Sequence, residues 1–150
     1  MSTRYETPPA VDNYLGARRA LIDAMRADQK GGVSANDIAR MAMAAWSRPI
    51  TLDYLKTWEL RDDVQTLIEQ AGLKSYVDVA ATGAASGARE VRLIIVCDPV
   101  ETPPEEWAGL PGRIGELLAA SEITWAFPEG EELPLTALLD DQEYVLLARA

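Results

Sequence analysis

The sequence predicts an α+β protein with a helical N-terminal half and a small sheet in its C-terminal half. Apolar residues recur at helical spacing between residues 12 and 72, and several segments after residue 76 alternate between apolar and polar side chains. The charge is also uneven. Residues 1–72 hold nine Lys and Arg against ten Asp and Glu, whereas residues 73–150 hold five against fourteen, a net charge of −9. We therefore expect two domains, 1–72 and 73–150, with different partners.

The N-terminal domain is predicted to hold three or four helices, beginning after a loose arm. Residues 1–10 are assigned to that arm because consecutive prolines are unfavourable inside a helix. The first helix is expected from Asp12 to about Asp28, with Leu21, Ile22 and Met25 on its apolar face, which Arg18 interrupts once. Gly31 and Gly32 follow it, as glycine commonly follows a helix C-terminus.

Two further helix starts are marked by residues that cap N-termini. Ser34 begins a capping box that closes at Asp37, and predicts a short helix over residues 36–45. Ser47 can cap the next helix, in which Pro49 occupies the first turn. The spacing leaves open whether residues 48–71 form one helix or two.

The C-terminal domain is predicted to be a mixed or antiparallel sheet with one packing helix. The helix is expected from about Pro103 to Ser121, and a further helical turn or two over residues 135–140. The first two strands should form an antiparallel hairpin. The expected strands cover residues 76–80, 90–97, 123–127 and 144–148.

Composition argues against an enzyme, a metalloprotein and a membrane protein. The chain has no histidine, which removes the commonest general base and metal ligand, and Cys97 is its only cysteine. Carboxylate pairs such as Asp98 with Glu101 and Asp140 with Asp141 are expected to be solvated surface. The longest apolar run is far too short to cross a bilayer, and the N-terminus lacks the pattern of a secretory signal. We expect a cytoplasmic protein with no cofactor.

The specific pattern in the chain is a possible helix-turn-helix. Residues 36–45 would be the supporting helix and residues 48–57 the recognition helix, which is narrow enough for the major groove of DNA. The stretch from Ile38 to Leu55 resembles the helix-turn-helix segments of bacterial and phage transcriptional regulators. It departs from them in two respects: Ala44 and Ala45 stand where glycine is usual, and the spacing from Ile38 to Ser47 is longer.

The resemblance implies a set of DNA-facing side chains on the recognition helix and around it: Ser47, Arg48, Thr51, Asp53, Lys56, Arg40 and Lys30. Arg48 would pair with a guanine base, while Ser47, Thr51 and Lys56 would hold phosphates. Arg40 and Lys30, outside the recognition helix, would hold further phosphates. The resemblance also implies a homodimer, because two-fold symmetric regulators double their contacts on a palindromic site.

We therefore expect a sequence-specific regulator that binds double-stranded DNA, with an acidic domain at 73–150 for dimerisation, a protein partner or a ligand. An alternative remains open. The protein could be an acidic adaptor or inhibitor, phage-encoded or antitoxin-like, whose residues 73–150 bind a basic surface on another protein. The helical domain would then be only a scaffold. An N-terminal domain without affinity for any duplex at low salt would favour this alternative.

Overall fold

A computed structural model describes residues 4–81, 90–96, 104–127 and 144–150, and confirms the α+β class. Its elements, in chain order, are α1 (Thr7–Lys30), α2 (Ala35–Met41), α3 (Arg48–Gln70), β1 (Val77–Ala81), β2 (Val91–Ile95), α4 (Pro104–Ala120), β3 (Ile123–Ala126) and β4 (Tyr144–Arg149). The helical turn expected at residues 135–140, the lone cysteine Cys97 and the carboxylate pairs named above lie outside the described residues.

The chain divides into two compact units, residues 1–55 and 56–150, and the division falls inside α3. Residues 48–70 form one continuous helix, which answers the question that the sequence left open. The expected boundary at residue 72 lies near the end of this helix. The division between the two compact units lies earlier, between residues 55 and 56. Residues 1–55 then hold seven Lys and Arg against six Asp and Glu, a net charge of +1, and residues 56–150 hold seven against eighteen, a net of −11.

Helix α1 begins at Thr7, so the expectation of a loose arm over residues 1–10 is wrong for residues 7–10. Pro8 and Pro9 lie in the first turn, where backbone N–H groups have no partner within the helix and proline costs nothing. The helix ends where Gly31 donates to the Ala27 carbonyl at 2.9 Å. Gly32 then adopts a φ of +90°, a conformation that favours glycine.

Helix α2 is shorter than expected, ending at Met41. The Ser34 hydroxyl accepts a hydrogen bond from the Asp37 backbone N–H at 3.2 Å, so the predicted cap is present. Residues 43–45 are exposed, and extending the helix through them would bury no further apolar surface. They form a turn in which the N–H groups of Ala45 and Trp46 both donate to the Ala42 carbonyl at 2.9 Å.

The sheet of residues 56–150 has four antiparallel strands in the order β1-β2-β4-β3. The predicted hairpin is present, with Val79 opposite Leu93. Leu93 in turn lies opposite Val145, and Leu147 opposite Trp125. Side chains on a strand alternate between the two faces, so Val79, Leu93 and Val145 share one face across three strands.

That face forms the core together with the second half of α3 and with α4. Each helix contributes apolar residues at a spacing of four, which places them on one side of the helix. The buried residues are Leu60, Val64 and Ile68 from α3, Leu110, Ile114 and Leu118 from α4, and Val77, Val79, Val91, Leu93, Ile123, Val145 and Leu147 from the strands. The sheet therefore depends on α3 for part of its apolar cover.

We expect Ile68→Ala to lower the free energy of unfolding by about 2–5 kcal/mol, because Ile68 is fully buried and its truncation leaves a cavity. Denaturant unfolding followed by circular dichroism measures this loss. Gln70→Ala, on the exposed side of the same helix, should change the stability by less than about 0.5 kcal/mol. Equal and small losses in the two variants would contradict the placement of α3 in the core of residues 56–150.

Candidate nucleic-acid interface

The junction between α2 and α3 is held by three side chains from different parts of the N-terminal unit. The ring of Trp46, in the turn, stacks on the ring of Tyr54 in α3, with centroids 4.8 Å apart and planes 27° apart. The Arg18 guanidinium, from α1, lies 5.6 Å from the Trp46 ring centroid. Arg18 also donates a hydrogen bond to the Tyr54 hydroxyl at 3.2 Å. Trp46 therefore contacts side chains of both α1 and α3.

Burial strengthens these contacts. Tyr54 is 2% exposed, and Arg18 and Trp46 are half-buried, so the cation and both rings are partly removed from water. This cluster was not predicted from the sequence. One feature of the sequence pointed to it: Arg18 is the one charged residue on the apolar face of α1. Its contacts with Trp46 and Tyr54 explain why a charged residue lies there.

A second set of hydrogen bonds fixes the start of α3. The Thr51 hydroxyl donates to the Ser47 carbonyl at 3.2 Å, and the Thr51 N–H donates to the same oxygen at 3.0 Å. One turn further along α3, Gln29 Nε2 of α1 donates to the Leu55 carbonyl at 2.9 Å. The N-terminal end of α3 is thus tied both to its own preceding turn and to α1.

One expected DNA contact is wrong. Thr51 is fully buried, so its hydroxyl cannot reach a phosphate. It lies three residues before Tyr54 and four before Leu55, on the face of α3 that packs inside the unit. The resemblance on which the expectation rested gave the sequence position but not the rotation of the helix about its axis.

The other six expected residues are all exposed: Ser47, Arg48, Asp53, Lys56, Arg40 and Lys30. The structure brings two of them together. Arg40 and Arg48 line one shallow depression of about 350 Å³, together with Asn36, Ala39 and Met43. Lys30, at the end of α1, does not line this depression, and Lys56 belongs to the other unit.

Each arginine of the depression has a partner on α2. Arg48 Nη2 donates to Asn36 Oδ1 at 2.7 Å, and Arg40 forms an ion pair with Asp37 one turn away. Asn36 was missed as a site residue, although it lies inside the capping box that the sequence revealed. The amide positions the Arg48 guanidinium without neutralising it, whereas Asp37 offsets the charge of Arg40.

The depression has the chemistry of an anion site. Guanidinium groups present several N–H donors in a plane, which suits a phosphate or the edge of a guanine base. Among the described residues, no group of three or more acidic or cysteine side chains could hold a metal ion. No helix of the described ranges has both the length and the apolar character needed to span a membrane.

A larger depression of about 670 Å³ lies in residues 56–150, at the end of α4 and along β3. Its described lining is mostly apolar and includes Trp125, with Glu122 as the ionisable side chain. A single carboxylate beside a tryptophan lacks the paired groups that acid–base catalysis uses. The depression at α2 and α3 therefore carries more specific chemistry.

Comparison with known proteins finds no family model, no curated protein and no solved structure that matches this chain. The function is therefore argued from the geometry of the α2–α3 junction.

We expect Tyr54→Phe to lower the free energy of unfolding by about 1 kcal/mol, because the Arg18 guanidinium loses a part-buried hydrogen-bond acceptor. Denaturant unfolding followed by tryptophan fluorescence measures the change. Tyr14→Phe removes the same hydroxyl from a residue that is 61% exposed, and should leave the stability unchanged. A Tyr54→Phe variant as stable as the unmodified chain would show that this hydrogen bond does not stabilise the junction.

Proposed function

We propose that residues 1–55 form a helix-turn-helix unit that binds double-stranded DNA, and that the protein is a sequence-specific regulator. The observation that carries this proposal is the position of Arg48. It lies exposed in the first turn of α3, is held by Asn36, and stands beside Arg40 on the same depression. Recognition helices contact base edges with their N-terminal residues, where Arg48 lies.

The hydrogen bond that Arg48 donates to Asn36 supports a role for Arg48 in base contact. It engages Nη2 of the guanidinium and leaves other N–H groups to pair with a guanine. A long side chain loses conformational freedom when it binds, and a contact made before binding lowers that cost. Asn36 would thus restrict the Arg48 side chain, before DNA binds, to a conformation suited to contacts in the major groove.

The neighbouring residues fit the remaining contacts of such an interface. Arg40 and Ser47 both precede Arg48 in the chain and are exposed, so they can hold phosphates. Ile50 is 40% exposed and Met43 62% exposed, and apolar side chains of this kind contact the methyl group of thymine. Asp53 can accept a hydrogen bond from the amino group of cytosine.

The charge distribution supports a division of labour between the two units. Residues 1–55 carry a net charge of +1, and residues 56–150 carry −11. The acidic unit repels a polyanion, so DNA would be held by the N-terminal unit alone. The role of the acidic unit is then to bind a protein or a ligand.

The same charge favours the second candidate, an acidic adaptor. A net charge of −11 on residues 56–150 would attract a basic surface on another protein, and the N-terminal unit would only support it. The two candidates place the binding surface on different units, which makes them separable by substitutions in each unit.

The first experiment measures the affinity of the full chain for a mixed-sequence duplex. We expect binding to weaken steeply between about 50 and 200 mM salt, because phosphate contacts release counterions. Arg48→Ala should cost about 1–3 kcal/mol of binding free energy, the typical value of an arginine contact in the groove. Fluorescence anisotropy of a labelled duplex measures both.

Two further variants control for loss of folding and for net charge. Asp37→Asn should strengthen binding, because Arg40 loses its ion-pair partner and a phosphate loses a repelling carboxylate. Arg113→Ala removes the same charge as Arg48→Ala from an exposed position on α4, and should have little effect. Absence of binding at low salt, or equal effects of the two arginine variants, would contradict the proposal and favour the adaptor.

A further inference from the structure

Helix α1 carries one largely apolar face from Val11 to Met25, interrupted by Arg18, and only the second half of this face is covered. Val11, Leu15, Arg18, Ile22 and Met25 recur at intervals of three or four residues and so lie on one side of the helix. Met25 is 3% exposed and Ile22 is half-buried. Val11 and Leu15, on the same face, are 46% and 43% exposed. The face that packs inside the N-terminal unit at Ile22 and Met25 is therefore exposed to solvent at Val11 and Leu15.

The uncovered part is long enough to bind another helix. Residues 7–17 are all exposed, which corresponds to about 16 Å of helix. Tyr14, beside Val11 and Leu15, is 61% exposed. Three large apolar side chains on two adjacent turns cost solvation energy in water unless a partner covers them.

Two charged residues border this face and indicate which partner fits. Asp12 and Arg19 are exposed and seven residues apart, so they project within about 20° of each other around the helix. Neither forms a hydrogen bond or ion pair with another residue of the described ranges. The midpoint between them falls between Leu15 and Gly16, within the exposed apolar face.

We propose that this face binds the same face of a second copy of the chain, with the two α1 helices antiparallel about a two-fold axis between Leu15 and Gly16. In an antiparallel pair each Asp12 lies opposite Arg19 of the partner subunit, which forms two equivalent ion pairs at the borders of the apolar contact.

The charges favour the antiparallel arrangement over the parallel one. In a parallel two-fold pair, Asp12 and Arg19 of one helix lie on the opposite flank of the contact from those of the other helix, so neither ion pair forms. The interface is small, so the dimer should dissociate on dilution. The proposal does not depend on DNA binding, since it rests on α1 alone and its test contains no DNA.

Sedimentation equilibrium of the full chain over a range of concentrations tests the proposal. We expect a monomer–dimer equilibrium that Asp12→Arg and Arg19→Asp each weaken by about tenfold, because each substitution places like charges opposite each other at two sites. The double variant carrying both substitutions should restore dimerisation, since the ion pairs are re-formed with their signs exchanged. Leu15→Glu should abolish the dimer.

Asp28→Arg is the matched control, since it makes the same charge change at an exposed position of α1 beyond the expected contact, and it should leave the equilibrium unchanged. Circular dichroism verifies that every variant is folded. A chain that is monomeric at all concentrations, or a dimer that none of the substitutions at Asp12, Leu15 or Arg19 affects, would overturn the proposal. Failure of the double variant to recover would overturn the antiparallel arrangement.

Discussion

The contacts of Trp46 with Tyr54 and Arg18 are those on which the account of the N-terminal unit depends. They join α1, the turn after α2 and the first half of α3 through one indole ring. Trp46 immediately precedes Ser47 and Arg48, so these contacts hold the chain just before the first turn of α3. They thereby support the position from which Arg48 donates its hydrogen bond to Asn36.

Helix α3 serves two different cores along its length. Its first half buries Thr51, Tyr54 and Leu55 within residues 1–55, and its second half buries Val64 and Ile68 within residues 56–150. Within each half, the buried residues recur at a spacing of three or four, which places them on one side of that half of the helix.

Much of the fold could be predicted from the sequence, because periodicity reports which side of an element is buried. The hairpin of β1 and β2, the helix α4 and the closing strand β4 follow from such patterns. The boundary between the units could not be predicted, because the spacing of Leu60, Val64 and Ile68 shows that they are buried but not in which of the two units. The start of α1 was misplaced because proline was judged by its cost inside a helix rather than in the first turn.

The candidate site was predicted only in part. Arg40 and Arg48 were identified by their charge and position, but their depression forms only when the turn brings α2 beside α3. Asn36 and Arg18 act through tertiary contacts that sequence spacing does not encode. Thr51 failed as a phosphate contact for the same reason, since the direction of its side chain depends on how α3 packs.

Amide chemical-shift mapping of the isotopically labelled full chain, titrated with a mixed-sequence duplex at low salt, tests the central claim most directly. The account predicts that the perturbed amides cluster around Asn36, Arg40 and Arg48, while those of α4 and β4 stay unchanged. Perturbations confined to residues 104–127 and 144–150, or none at all, would contradict it.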